Sequence, residues 1–368
     1  MLVPGAVLAL VAAGLTAVAC AADGVLPFGS AGASFEQALA PRAFEFPRDH
    51  AAHPTFAHEW WYLTGHLAAP SGERFGFELT FFRVAVARAA AAEADASRWR
   101  TQQMYIAHFA VTDIGRGQFR FQERFARDAL GLSGAQANPL KVWLEDWSLE
   151  EAGGSWRIRA AERGYALDVE VTAELPPVLN GDRGLSQKSS APGDASYYYS
   201  IPRLSVRGEL ARDGQTLSVR GSAWLDREWG SGGLGADEAG WDWFALQFAD
   251  GSELMFYSLR RRDGRSDAHS AGTWVGPDGR VRALTSDDVR IRVEEHWLSP
   301  RGGRYPARWR LDVPALGLSV DLRPVLADQE LDGRPRYWEG AVDVSGRSGA
   351  GNISGQGYVE LVGYARAP

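Results

Sequence analysis

Hydrophobic and polar residues alternate along most of the chain after residue 46. In residues 74–84 the apolar side chains take every second position, namely Phe75, Phe77, Leu79 and Phe81. This period of two is typical of a β-strand with one buried face. Comparable patterns predict further strands at 104–112, 156–160, 167–173, 217–223, 244–248, 254–259 and 289–293.

Turn-forming dipeptides separate these segments. Pairs that contain glycine lie at 71–72, 153–154, 213–214, 250–251, 263–264, 278–279 and 332–333. Only the alanine-rich segment 85–96 is predicted as a helix. Many strands joined by short turns predict an all-β chain built from antiparallel barrels or sandwiches.

The two halves of the chain carry a similar pattern. A pair of tryptophans at 60–61 leads through a hairpin turn to an aromatic strand that ends at Arg83, and the pattern returns from 241 to Arg260. The offset is roughly 180 residues, which suggests two related barrels in tandem. The equivalent residues are then, to within one residue, Trp61 with Trp243 and Arg83 with Arg260. We place the domains at 46–232 and 233–368.

The N-terminal segment has the pattern of an export signal. Residues 2–22 form an apolar run that ends in small residues around Cys20, although no Lys or Arg precedes Arg42. Two cleavages fit this pattern: a lipoprotein peptidase cutting before Cys20, which would then carry a lipid, or a signal peptidase cutting after Ala19 or Ala22. We expect 1–22 to be removed, 23–45 to be a linker, and the protein to be periplasmic or in the cell envelope, with a lipid anchor on Cys20 as its only membrane attachment.

Composition narrows the possible functions. The 368 residues carry a formal net charge of −7, which disfavours nucleic-acid binding because a phosphate backbone needs a cationic surface. Fourteen Trp, eleven Tyr and sixteen Phe make the chain rich in aromatic area. Cys20 is the only cysteine, so no intramolecular disulfide forms.

A first cluster of candidate residues spans 49–66. Trp60, Tyr62 and His66 share one strand face, where aromatic area with polar groups suits either the wall of a ligand cavity or a solvated barrel face. His50 and His53 lack the spacing and the cysteine partners of a zinc site, so we expect no metal.

A second cluster lies at 221–230. On a strand, Trp224, Asp226 and Glu228 face one way, and Arg227 faces the other way together with Trp229. The two carboxylates would lie about 7 Å apart, because each residue of a strand rises about 3.3 Å. They suit an acid and a base, or alternatively an ion pair with Arg227 between the domains. The long segment 176–188 is a candidate lid or binding loop.

Five motifs together resemble a known family. They lie at 58–65 (HEWWYLTG), 179–188 (LNGDRGLSQK), 197–204 (YYYSIPRL), 224–229 (WLDREW) and 240–244 (GWDWF). The chain resembles the lipocalin-like family of AttH-type proteins and carotenoid 1,2-hydratases from about residue 46 to the C-terminus. This resemblance implies two tandem lipocalin-like, calycin-type antiparallel β-barrels, a cavity for an apolar small molecule, and an association with ABC transporter components.

The hydratase branch of that family adds water to an isoprenoid double bond. The resemblance implies that a His-x-Trp and a Tyr-x-Asp segment supply its groups, at positions that match 227–229 and 256–258 here. Trp229 is retained, whereas the histidine and the aspartate are absent unless Asp226 or Glu228 replaces them.

We therefore expect an exported binder of an apolar small molecule, a lipid or an isoprenoid, without a cofactor. The alternatives are a hydro-lyase of the hydratase type and an envelope scaffold without a ligand. The candidate catalytic residues are Asp226, Glu228 and Tyr257. The candidate ligand-binding residues are Trp60, Trp61, Tyr62, His66, Trp224, Trp229, Trp241 and Trp243.

Overall fold

The structure is a computed structural model that describes residues 35–86, 101–235, 237–349 and 351–365. The predicted signal at 1–22 with Cys20, the first part of the linker, and most of the predicted helix at 85–96 lie outside these residues. Ala85 itself ends a strand. Among the described residues, no helix combines the length and the apolar character needed to cross a membrane.

The first sheet is formed by thirteen antiparallel strands. Their bounds are β1 His58–Ala68, β2 Arg74–Ala85, β3 Gln103–Asp113, β4 Gln118–Arg127, β5 Ser133–Gln136, β6 Lys141–Leu144, β7 Trp147–Ala152, β8 Ser155–Glu162, β9 Tyr165–Ala173, β10 Val178–Leu179, β11 Leu185–Gln187, β12 Ala195–Arg212 and β13 Gln215–Gly230. Short 3-10 helices span Arg48–His50 and Ala129–Gly131.

The second sheet is formed by ten antiparallel strands. They are β14 Glu238–Phe248, β15 Glu253–Arg261, β16 Ala271–Val275, β17 Val281–Thr285, β18 Arg290–Leu298, β19 Arg304–Val313, β20 Leu318–Pro324, β21 Glu330–Leu331, β22 Tyr337–Ser348 and β23 Gly351–Leu361, with a 3-10 helix at Pro314–Leu316. The all-β prediction is confirmed, and the two sheets are curled into a near-barrel and a half-barrel. Seven of the eight predicted strands lie inside observed strands, while 289–293 begins one residue before β18.

Both sheets follow one strand order. In the first, β4-β3-β2-β1 is continued by β13 and β12 and then by β9 to β5. In the second, β17-β16-β15-β14 is continued by β23 and β22 and then by β20 to β18. In each, the first strand pairs with the last, and short strands also pair with the penultimate strand. This common order is what the internal repeat predicts.

The position that matches Trp61 in the second half is Phe244, one residue from Trp243 and within the predicted margin. Trp61 is buried in the core of the first sheet, and Phe244 takes the inward position in the second. Trp243 faces away from that core. An ion pair ends the first hairpin of each half, Glu59 with Arg83 and Asp242 with Arg260. Arg83 lies directly opposite Glu59, whereas Ser258 lies opposite Asp242, so Arg260 is two residues beyond the position that matches Arg83 and this predicted equivalence is wrong.

The outer faces of the two sheets pack against each other around β1, β2, β12 and β13 on one side and β14, β15, β22 and β23 on the other. Gly76 permits this approach, because a Cβ atom there would lie 2.5 Å from Oη of Tyr358. We call the buried residues between the sheets the inter-sheet layer: Tyr62, Tyr198, Trp224, Trp243, Ala245, Met255, Tyr257, Leu259, Ala341 and Tyr358.

Candidate functional site

The inter-sheet layer collects residues from both halves of the chain. The Tyr62 hydroxyl donates a 2.6 Å hydrogen bond to Glu339, and the indole N–H of Trp243 donates to the hydroxyl of Tyr198 at 3.1 Å. The rings of Tyr62 and Trp243 meet edge to face, with centroids 5.0 Å apart. Aromatic walls with a few polar groups are typical of small-molecule sites.

Asp226 lies in this layer and is buried. Its carboxyl group accepts hydrogen bonds from Ser200 and Tyr198, both at 2.5 Å, and from the indole of Trp224 at 2.7 Å. All three donors are neutral. Burial raises the pKa of Asp226 to about 7, although these hydrogen bonds act in the opposite direction.

Glu228 is two residues further along β13 and has a cationic partner. Lys188 Nζ lies 3.0 Å from its carboxylate. The same ammonium group lies 4.3 Å from the ring centre of Tyr257 and 3.0 Å from Ser186, whose hydroxyl is hydrogen-bonded to Tyr257 at 2.8 Å. The segment 176–188 thus contributes Ser186 and Lys188 to the site. Burial favours a lower pKa for Lys188, but Glu228, Tyr257 and Asp226 together outweigh it and the pKa is raised.

Arg227 points into the first sheet, away from both carboxylates of the second cluster. It binds Glu59 at 2.9 Å, and Glu59 also contacts Arg83. Burial opposes ionisation of Glu59, but the two arginines and His53 hold its pKa well below the ordinary range. The predicted alternative, an ion pair of Asp226 or Glu228 with Arg227, is therefore wrong.

Two further carboxyl groups in the layer were not predicted as site residues. Glu78 accepts hydrogen bonds from Thr80 at 3.0 Å and Tyr337 at 3.4 Å through one oxygen, and its Oε2 has no hydrogen-bond partner. Oε2 of Glu339 also has none. Among the described residues neither carboxyl forms an ion pair. Burial raises the pKa of Glu78 to about 8, and burial together with Glu78 raises the pKa of Glu339 well above its usual value.

A third carboxyl group, Glu360, is half-buried opposite Glu339 in the β22–β23 ladder. It accepts a 2.9 Å hydrogen bond from the indole of Trp241, and burial raises its pKa to about 7. Carboxyl groups with raised pKa values, gathered in one buried layer, are a recognised sign of a functional site.

The structure places the predicted ligand-binding residues in two regions. Tyr62, Trp224 and Trp243 belong to the inter-sheet layer, and half-buried Trp60 and Trp241 pack against it. His66 reaches the second sheet and contacts the carbonyl oxygen of Gly357 at 2.9 Å.

The other two tryptophans lie elsewhere. Trp61 and Trp229 are in the core of the first sheet, where Trp229 stacks on His53 with a ring separation of 3.7 Å. They support the fold and are not part of the layer. Across the described parts of the chain, no group of three His, Cys, Asp or Glu residues is arranged to hold a metal ion.

Two curled antiparallel sheets joined through an aromatic and acidic layer define a tandem lipocalin-like protein. The chain belongs to the AttH-like family, whose sequence profile matches residues 37–364. The crystal structure of an AttH protein from Nitrosomonas europaea is similar, with a TM-score of 0.79 and 36% identity over 89% of this chain and 100% of that one.

Two more distant proteins are also similar. Kievitone hydratase from Nectria haematococca has a TM-score of 0.69 at 16% identity, covering 90% of this chain and 96% of the hydratase, which shows a common fold. The dehydratase asqC of Emericella nidulans is 20% identical over 233 residues, or 56% of this chain. The match spans 60% of that dehydratase's length.

Proposed function

We propose that the protein is a hydro-lyase that adds water to, or removes water from, a small and largely apolar molecule bound in the inter-sheet layer. One observation carries this proposal: Glu78 and Glu339 are both buried, each has one oxygen without a hydrogen-bond partner, and neither forms an ion pair among the described residues. Such carboxyl groups stay protonated near neutral pH and can act as acids.

In the direction of elimination, Glu78 acts as the general acid and gives its proton to the hydroxyl oxygen of the substrate. The C–O bond breaks and water leaves. Glu339, still protonated, donates a hydrogen bond to the departing oxygen, while the carboxylate of Asp226 takes a proton from the adjacent carbon to form the double bond. Hydration is the reverse of these steps. A pKa of about 7 suits Asp226 to this base role, because proton transfer works best near the operating pH.

The aromatic rings have a separate task. Positive charge develops on carbon when the C–O bond breaks before the proton leaves. The faces of aromatic rings attract cations by about 0.5–2 kcal/mol each, more when water is excluded. In this proposal the role falls to Tyr62, whose hydroxyl donates to Glu339, and to Trp243, whose ring meets that of Tyr62.

The names of two similar proteins support this chemistry. One is a hydratase and the other a dehydratase, so the two name opposite directions of one reaction type. The aromatic layer itself favours a substrate with an aromatic or isoprenoid body and one hydroxyl group or double bond.

The test is a turnover screen in H₂¹⁸O with the purified protein. The panel pairs acyclic terpenoid alkenes and prenylated phenols with their hydrated products. The proposal expects a gain or loss of one water, with ¹⁸O incorporated in the hydration direction. Binding of panel members without any change of mass would contradict it.

That contradicting result would favour the second candidate function, binding without turnover. The same aromatic layer supports it. In that case the protein is an exported carrier in the periplasm or envelope that serves ABC transporter components, as the export pattern of residues 1–22 and the family resemblance suggest. Native mass spectrometry of the ligand that co-purifies from the envelope fraction tests this candidate.

A further inference from the structure

A continuous chain of hydrogen bonds connects the buried Glu78 to the edge of the first sheet. The Tyr337 hydroxyl lies 3.4 Å from Glu78 Oε1 and 2.6 Å from His108 Nδ1. The other ring nitrogen of His108 lies 3.1 Å from Glu123 Oε2. Glu123 therefore ends a path of three contacts that begins at the proposed acid.

Burial changes sharply along this path. Glu78, Tyr337 and His108 are each at most 1% exposed, whereas the side chain of Glu123 is 27% exposed. Glu123 is held in place by the backbone N–H of Arg334, which donates to Oε2 at 3.1 Å. Only the outer end of the path thus meets solvent.

Aromatic rings surround the middle of the path. Phe82 and Phe121 pack edge to face on His108, with centroids 5.2 and 5.3 Å from it. Such rings offer no hydrogen-bonding group to which a proton could divert.

The internal repeat offers a comparison. By its cross-strand position Glu253 is the counterpart of Glu78, and Thr273 stands where His108 stands in the first sheet. Glu253 contacts the guanidinium group of Arg203 instead of a tyrosine–histidine chain. The counterpart Glu253 therefore does not begin an equivalent chain of contacts.

We propose that Glu123, His108 and Tyr337 form a proton relay that returns protons from solvent to Glu78. This proposal rests on the assigned role of Glu78 as an acid. After Glu78 has given its proton to the substrate, a proton from solvent enters at Glu123 and passes to Nε2 of His108. Nδ1 then releases a proton to the oxygen of Tyr337, and the Tyr337 hydroxyl proton moves to Oε1 of Glu78. One proton enters at Glu123 and one is delivered to Glu78. The charges of Glu123, His108 and Tyr337 are therefore unchanged, and the Glu78 carboxylate becomes a neutral carboxylic acid.

The test follows the proton itself and needs no substrate. The infrared C=O band of protonated Glu78 is identified at about pH 6, between the ordinary and the raised pKa, by subtracting the spectrum of Glu78→Gln. The protein is then switched rapidly into D₂O, and the shift of that band reports exchange of the carboxyl proton. The relay variants are Tyr337→Phe and Glu123→Gln. Glu123 is at the exposed end of the path, where a substitution disturbs folding least. The matched control is Tyr305→Phe, because Tyr305 is also a buried tyrosine that donates to a buried glutamate, at 2.7 Å, outside the relay.

We expect exchange to slow at least about tenfold in both relay variants and to be unchanged in Tyr305→Phe. Equal exchange rates in the wild type and in a folded relay variant would overturn the relay. Absence of a Glu78 carboxylic band would overturn both the relay and the proposed acid. Slowed exchange in a protein that turns over no panel substrate would retain the relay and contradict only the proposed function.

Discussion

Replacing Glu78 by glutamine is expected to change how the stability of the protein depends on pH. The folded wild type keeps the Glu78 proton to a pKa of about 8, against an ordinary value of 4.5. As pH rises through this interval the unfolded chain releases the proton and the folded chain does not, so the free energy of unfolding of the wild type falls with pH. Glutamine cannot ionise, so the free energy of unfolding of the variant does not fall with pH for this reason.

The size of the effect follows from the pKa interval. Each unit is worth about 1.36 kcal/mol, so a shift from 4.5 to about 8 corresponds to at most about 5 kcal/mol. Near pH 5 the variant should match the wild type within about 1 kcal/mol, because a glutamine amide has nearly the shape of a protonated glutamate. Near pH 9 the variant should be more stable by about 2–5 kcal/mol.

The assay is urea unfolding followed by tryptophan fluorescence at several pH values. The control is Glu170→Gln on β9, because Glu170 is half-exposed and its pKa is lowered by hydrogen bonds from Ser155 and Arg207. The difference between that variant and the wild type should be flat above about pH 6. A flat difference for Glu78→Gln as well would contradict this prediction, since it would mean that Glu78 is ionised in the folded protein.

Three further predictions concern other parts of the molecule. Glu59→Gln should cost about 3–5 kcal/mol in urea unfolding, because Arg83 and Arg227 lose a buried counter-charge; an unchanged unfolding midpoint would contradict this. Asp226→Asn should lower turnover by about 100-fold with an unchanged thermal melt, and a collapsed melt with intact ligand binding would show that Asp226 only holds the fold together. The mature chain in envelope fractions should begin at Cys20 or a few residues later, with a diacylglyceryl mass on Cys20 if it is lipidated; intact-mass detection of full-length protein in the cytosol would count against export.

The fold was largely predictable from the sequence because its main determinant is local. The period-two alternation in 74–84 fixes both the strand and its inward face, and the observed strand Arg74–Ala85 buries Phe75, Phe77, Leu79 and Phe81 as expected. The repeated paired-tryptophan hairpins likewise indicated the common strand order. The match of Trp61 was predicted only to within one residue, because the exact partner, Phe244, depends on which face of β14 meets the second core.

The candidate site was predictable only in part. Asp226 and Glu228 stood out because they lie among tryptophans, and the structure places both near the inter-sheet layer. Glu78 lies on the outward face of an alternating strand, and such a face is ordinarily exposed to solvent. It is buried only because the second sheet covers that face, and sequence periodicity carries no information about that packing.

Lys188 and Glu339 were not predicted as site residues for the same reason. Lys188 meets Glu228 across the 40 residues that separate them in the chain, and Glu339 meets Tyr62 across 277. Neither pair leaves a local signal. Trp61 and Trp229 were predicted to bind the ligand because they share sequence motifs with residues that face the layer. Side chains alternate between the two faces of a strand, however, and these two tryptophans lie on the opposite face of the sheet.

The most direct test of the proposed hydro-lyase function is the initial rate of ¹⁸O incorporation, or of water loss, on the best substrate of the panel. The rate is compared among the wild type, Glu78→Gln, Glu339→Gln and the surface control Glu170→Gln, each with a thermal melt. We predict that both layer variants lose at least about 100-fold in rate while their melts and substrate binding are retained, and that the control keeps the wild-type rate. Wild-type rates in folded Glu78→Gln and Glu339→Gln would contradict it.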